Sequence, residues 1–201
     1  NIATLARARG ITLISNEIFG DIHHKGQHQS IARFYPEGTI VATGLSQWCG
    51  ADGWRLGALS FPRELAQLRL SMTALSSQLS TSVSTPIQHA ATLAFHSSQA
   101  IGDYLSYSRR VLSALGRWCA RRLRAVGVEC TQPTGAFFLF CDFNPLQNRL
   151  HEAGIHSSAA FVEKLFNESG VALLPGEQLG CPKEALLARI AFVDFDGAKA
   201  L

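Results

Sequence analysis

Gly44-Leu45-Ser46-Gln47-Trp48-Cys49-Gly50-Ala51-Asp52-Gly53-Trp54-Arg55-Leu56-Gly57 is the stretch around which the chain is organised. A short apolar run, Thr39-Ile40-Val41-Ala42-Thr43, leads into it, and Ala58-Leu59-Ser60-Phe61 leads out. Both runs read as strands, and the segment between them as a turn of small residues. Small residues let the backbone come close to a bound group. The arginine eight positions after Gln47 can grip a phosphate as a planar fork.

Upstream, Ile2, Leu5, Ala6 and Arg9 recur at helical spacing, and Gly10 closes the run. Ile11 to Ile14 then reads as a continuously apolar strand, of the kind found in a parallel sheet covered on both faces. Ser15-Asn16-Glu17-Ile18-Phe19 follows at its carboxyl end. Open α/β sheets bind ligands off the carboxyl ends of their strands. His23, His24 and His28 fall in the next loop, close enough in sequence to ligate a metal. The loop is read as solvated, and no metal is expected there.

Downstream, Pro62 opens a helix to about Ser80 with a broad apolar face made by Leu65, Leu68, Leu70, Met72, Leu75 and Leu79. Residues 81–86 form a break, with Thr85 as an N-cap and Pro86 at the first helical position. The helix from Pro86 to about Ala100 would bury Ile87, Ala90, Ala91, Ala94 and Phe95. The longest helical pattern runs from Asp103 to Val126 and stops at Gly127. Extended segments are expected at residues 128–131, 136–143, 171–174 and 189–195. Ser157 is placed as the cap of a helix from Ser158 to Ser169, ended by Gly170. A soft boundary near residues 97–103 separates alternating strands and helices from a smaller α+β arrangement. The expected domains are therefore 1–100 and 101–201.

The 201 residues carry a net charge of only +3. The arginines at 117, 121, 122 and 124 read as a solvated helix face, with no nucleic-acid module beside them. The five cysteines show no zinc-knuckle or CxxC spacing and read as free thiols of a reducing intracellular compartment. No apolar run is long enough for a membrane span.

The opening motif resembles the cofactor-lysine signature of the class I/II aminotransferases, fold-type-I enzymes that use pyridoxal phosphate. Each constrained position from Gly44 to Gly57 fits that signature except one: Gln47 stands where the family has lysine. The segment at the end of the first strand resembles the family's Asp-Glu-x-Tyr, with Asn16 in the aspartate place and Phe19 in the tyrosine place. The resemblance implies an α/β fold: the last strands and helices of a large parallel-sheet domain, then a small carboxy-terminal α+β domain. It gives Arg55 the phosphate place, with Ser46 as a second donor, and Arg189 the place that binds a substrate α-carboxylate.

The lysine forms the Schiff base because only a primary amine condenses with the aldehyde. The carboxylate keeps the pyridine nitrogen protonated, and the tyrosine hydroxyl bonds the ring oxygen. All three places are altered here, whereas both charge-binding arginines remain. The expectation is an aminotransferase-derived chain without catalytic activity, kept for a structural or partner-binding role, with pyridoxal phosphate held non-covalently if at all. One alternative is half of a working aminotransferase, completed by a partner chain or carrying an engineered lysine substitution. Another is a module binding pyridoxal phosphate or an amino acid through Ser46, Arg55 and Arg189. Family members are about twice this length, so a protein partner or a missing amino-terminal half is expected to cover the open sheet.

Overall fold

The computed structural model describes residues 1–80, 82–96 and 98–200. The chain divides into two compact units, Asn1–Ser106 and Tyr107–Leu201.

In the first unit, helix α1 (Ile2–Ala8) ends on Gly10 at φ 62°, and the Ile11 amide donates back to the Ala6 carbonyl at 2.9 Å. A left-handed glycine lets the following amide reach the last turn. That cap draws Ile11 into the helix end, so strand β1 is Leu13–Asn16 and not Ile11–Ile14. Its neighbour β2 (Thr39–Gly44) runs parallel to it, pairing Leu13 with Thr39 and Asn16 with Ala42. β3 (Gly57–Ser60) returns antiparallel, pairing Gly44 with Gly57. Ile22, Ile40 and Leu45 are fully buried, and Ala3 and Ala6 of α1 pack with Tyr35. β1 is not covered on both faces: Ile14 is 70% exposed.

A 3-10 turn at Arg63–Leu65 leads into α2 (Ala66–Leu79), which buries no residue. The expected apolar face is present but open, with Leu68, Leu70, Met72, Leu75 and Leu79 all exposed. Leu59, Phe61, Met72 and Leu79 line an open groove of about 1130 Å³ beside β3. Thr81, at the start of the expected break, lies outside the described residues. α3 (Thr85–Ala94) has Ser84 as its N-cap, so Thr85 is already helical and Pro86 sits in the second position. Proline is tolerated there because a first-turn amide has no intrahelical partner. Ala91 is buried, but Phe95, expected inside, is 44% exposed.

α4 (Gln99–Ala125) starts four residues earlier than expected and ends before Gly127 at φ 89°. The second unit then forms β4 (Glu129–Cys130), β5 (Phe138–Asp142), α5 (Gln147–Glu152), α6 (Ser158–Ser169), β6 (Leu174–Pro175), β7 (Leu187–Ala191) and α7 (Gly197–Ala200). Its four strands make an antiparallel sheet in the order β4-β5-β7-β6. Ala136 has φ 53°, which keeps it out of β5. Leu139 and Cys141 alternate inward along β5 and join Ala188, Leu186, Phe143, Phe161 and Phe192 in the core of this unit. Each such aliphatic or aromatic side chain contributes roughly 1.5–3 kcal/mol on full burial. Ser157 caps α6 by accepting from the Ala160 amide at 3.2 Å, and Gly170 ends it in the left-handed conformation. α5 has no counterpart in the sequence reading.

Candidate functional site

Parallel pairing puts the carboxyl ends of β1 and β2 at one end of the first sheet, and the antiparallel return starts β3 there too. Asn16 closes β1, Ser46 and Gln47 follow just past β2, and Arg55 stands two residues before β3. The topology therefore gathers these four residues at one sheet end.

The connection between β2 and β3 is anchored by Leu45 and Trp48, both buried. The Ala51 amide donates to the Leu45 carbonyl at 3.3 Å, closing the turn. Gly44 is required by close approach: a Cβ there would come within 2.8 Å of the Leu56 carbonyl oxygen. Trp48 packs 6.3 Å from the Phe95 ring, and its indole N–H has no acceptor among the described residues. Ser46 and Gln47 are partly buried beside it.

A single 3-10 turn, Asp52–Trp54, delivers Arg55 in the left-handed conformation at φ 53°. Its guanidinium donates to the Asp52 carbonyl at 3.1 Å and to the Asp52 carboxylate at 3.0 Å. The Arg55 side chain is 75% exposed, so this ion pair is solvent-screened and weak. The φ above zero and the tie to Asp52 were not legible in the motif.

At the end of β1, the Asn16 side chain is exposed and its Oδ1 accepts from the Ile18 amide at 3.3 Å. Phe19, partly buried, precedes the 3-10 turn Gly20–Ile22. Between them Glu17 forms a cluster that sequence reading missed. Its carboxylate accepts from the Ser30 hydroxyl at 2.5 Å and meets the His28 ring at 2.9 Å. Burial alone would raise the Glu17 carboxyl, but hydrogen bonds from Ser30, His28 and Ser15 outweigh it and hold the group below the usual carboxylate range. Gly20 lies under the His28 ring, where a Cβ would come within 2.7 Å. Of the three loop histidines, His28 is thus a partner of Glu17. His23 accepts through Nδ1 from the Lys25 and Gln27 amides. Among the described residues no group of three or more His, Cys, Asp or Glu is placed to hold a metal ion. The clue to Glu17 lay eleven residues from His28, a separation with no helical or strand period to mark it.

Arg189 belongs to the second unit. It lies in the middle of β7, not at a strand start, paired across the sheet with Phe140 and Leu174. Its guanidinium stands 4.4 Å over the Phe138 ring, a cation–π contact that orients it.

The fit of this donor set to pyridoxal phosphate divides at the ring. An exposed arginine fork with a serine nearby suits a phosphate. A carboxamide at Gln47 has no amine to condense with an aldehyde, Asn16 carries no anion, and Phe19 has no hydroxyl. The residues do not fit a covalently held pyridoxal phosphate.

A model of the family "Aminotransferase class I and II" matches residues 1–195. An aspartate/prephenate aminotransferase of Thermus thermophilus is 29% identical over 175 residues, covering 87% of this chain and 42% of that protein. A valine–pyruvate aminotransferase of Mycobacterium tuberculosis is also 29% identical, covering 98% of this chain and 48% of its own length. Among solved structures, the aspartate aminotransferase of Thermus thermophilus with maleate superposes with a TM-score of 0.83 at 26% identity, over 99% of this chain and 49% of that one. The aromatic aminotransferase of Pyrococcus horikoshii gives 0.78 at 25% identity, over 95% and 48%. These neighbours give the fold as the carboxy-terminal part of a fold-type-I transferase. The chain spans about half the length of the relatives it matches.

Proposed function

The chain belongs to the class I and II aminotransferase family, and on that premise we propose that it is a catalytically silent member kept for a structural or partner-binding role. The observation that carries the reading is Gln47 in the lysine place of the motif. A carboxamide forms no imine, and its nitrogen has no basic lone pair with which to move a proton. Asn16 and Phe19 extend the loss to the two places that tune the ring. Gly44, Leu45 and Trp48 still build the turn. The parts that shape the fold persist where the parts that do chemistry do not.

The partner side of the proposal rests on the first unit. Ile14 on β1, Leu59 on β3 and the leucines of helix α2 are each exposed, and Leu59, Met72 and Leu79 line one open groove. A complementing large-domain half, upstream in the same polypeptide or on a separate chain, is the occupant that suits this surface. A second reading is favoured by the exposed Arg55 guanidinium: non-covalent binding of a phosphate-bearing ligand there, aided by Ser46.

Visible absorption with added pyridoxal phosphate, before and after borohydride, tests both. No reducible adduct in the motif is expected. Saturable, non-reducible binding supports the second reading, and no binding leaves the structural role. A reduced pyridoxyl group on a lysine of an added partner chain, with turnover, would replace this proposal by that of a split enzyme.

A further inference from the structure

We propose that Cys130 and Cys141 form a dithiol pair that closes to a disulfide on two-electron oxidation, fastening strand β4 to strand β5. The two residues are direct partners in the antiparallel ladder of the second unit. Directly opposed residues of such a ladder have Cα atoms about 4.5–5.5 Å apart and side chains on the same face. A disulfide requires about 4.4–6.8 Å. Both side chains point into the same core cluster, Cys141 fully buried and Cys130 partly so.

The two thiols interact directly. Burial first, then the neighbouring thiols of Cys130 and Cys119, push the Cys141 thiol up to about 12. Cys130 donates its own S–H to the Ala120 carbonyl at 3.8 Å and is the member of the pair with solvent access. Cys119 packs against the same cluster from α4, but no strand register sets it opposite either partner.

The oxidant is a hydroperoxide. The Cys130 sulfur attacks the terminal oxygen; an S–O bond forms, the O–O bond breaks, and with hydrogen peroxide one water leaves. Cys141 gives up its proton, its sulfur attacks the sulfenic sulfur, and an S–S bond forms as the S–O bond breaks. The leaving hydroxide takes a proton and departs as a second water. Two thiols lose two electrons, and one peroxide becomes two waters. The product closes a loop containing Pro133 and Ala136 and ties down a strand of only two residues.

The test is hydrogen peroxide treatment of the reduced 201-residue chain, alkylation under denaturing but non-reducing conditions, and peptide mapping by mass spectrometry. Two of the five thiols should be lost to alkylation, and a linked Cys130–Cys141 peptide pair, lighter by two hydrogens, should appear. Dithiothreitol should reverse both, and the closed form should melt several degrees higher. Cys130→Ser should abolish the link, and Cys119→Ser should leave it intact. If Cys141→Ala fails to fold, the variant at the partly buried Cys130 carries the test. A Cys119–Cys130 link, Cys130 driven to sulfinic acid beside an intact Cys141, or five unreacted thiols would each overturn the proposal.

Discussion

At the scale of single residues, Gln47 presents a shorter, non-basic carboxamide where lysine presents a basic amine. Gln47→Lys supplies an amine to the turn but leaves Asn16 and Phe19 as they are. The single variant is expected to show no appreciable transamination in a coupled keto-acid assay, even when mixed with a complementing half. Appreciable turnover by that variant would mean that Asn16 and Phe19 do not matter. Glu17 makes a different prediction. Its carboxyl is depressed on folding, so its stabilisation is fully present above the unfolded value of about 4.3. That stabilisation is lost as the pH falls through the lower folded value. Glu17→Gln should therefore lower stability at pH 7, and the gap to the parent should close as the pH falls below the ordinary carboxylate range. Denaturant melts of both proteins through that fall in pH would read it. A gap that persists unchanged once the folded-state carboxyl is protonated would show that the ionised carboxylate is not the stabilising form.

At the scale of elements, some boundaries are local and others are not. α6 is legible because Ser157 and Gly170 carry its start and stop in their own chemistry. Ser157→Ala should cost about 1 kcal/mol of stability in urea unfolding, the usual loss of an N-cap acceptor. β1 is legible only to within two residues, because a glycine cap borrows Ile11 by a hydrogen bond that no hydrophobic pattern records. α2 marks a different limit. Its periodicity tells which face is apolar, but not whether anything lies against that face. Leu68→Ser and Leu75→Ser are expected to change the stability of this chain by no more than about 0.5 kcal/mol each. They should weaken capture of a complementing half in a pull-down, and a large loss of stability with unchanged capture would place those leucines in a core instead.

At the scale of the whole molecule, the fold was readable from two short motifs. A signature tied to a cofactor fixes strand, turn and strand at once. The condition of the site was less readable. Gln47, Asn16 and Phe19 are visible as letters, but the Glu17–His28–Ser30 cluster depends on a loop folding back across β1. The exposed apolar surface of the first unit also predicts behaviour. Purified alone, the chain should self-associate in sedimentation velocity as concentration rises, since unpaired sheet edges and open apolar faces favour it. A soluble monomer that unfolds cooperatively would remove the need for a complementing half.

The tie between Asp52 and Arg55 has one more consequence. An incoming phosphate meets a cation that already carries its own tethered anion, three residues away. Tethering gives that carboxylate a high effective concentration, so the loop holds a built-in competitor for its own anion site. Because the pair is exposed, it attenuates affinity without forbidding binding. Asp52→Gly should release the competitor and tighten inorganic phosphate binding several-fold in isothermal titration, with Gln47 untouched. Unchanged affinity would mean that Arg55 was never held in check. Tighter binding would show a turn that lacks its covalent anchor at Gln47 and holds its electrostatic one at Arg55 in check through Asp52.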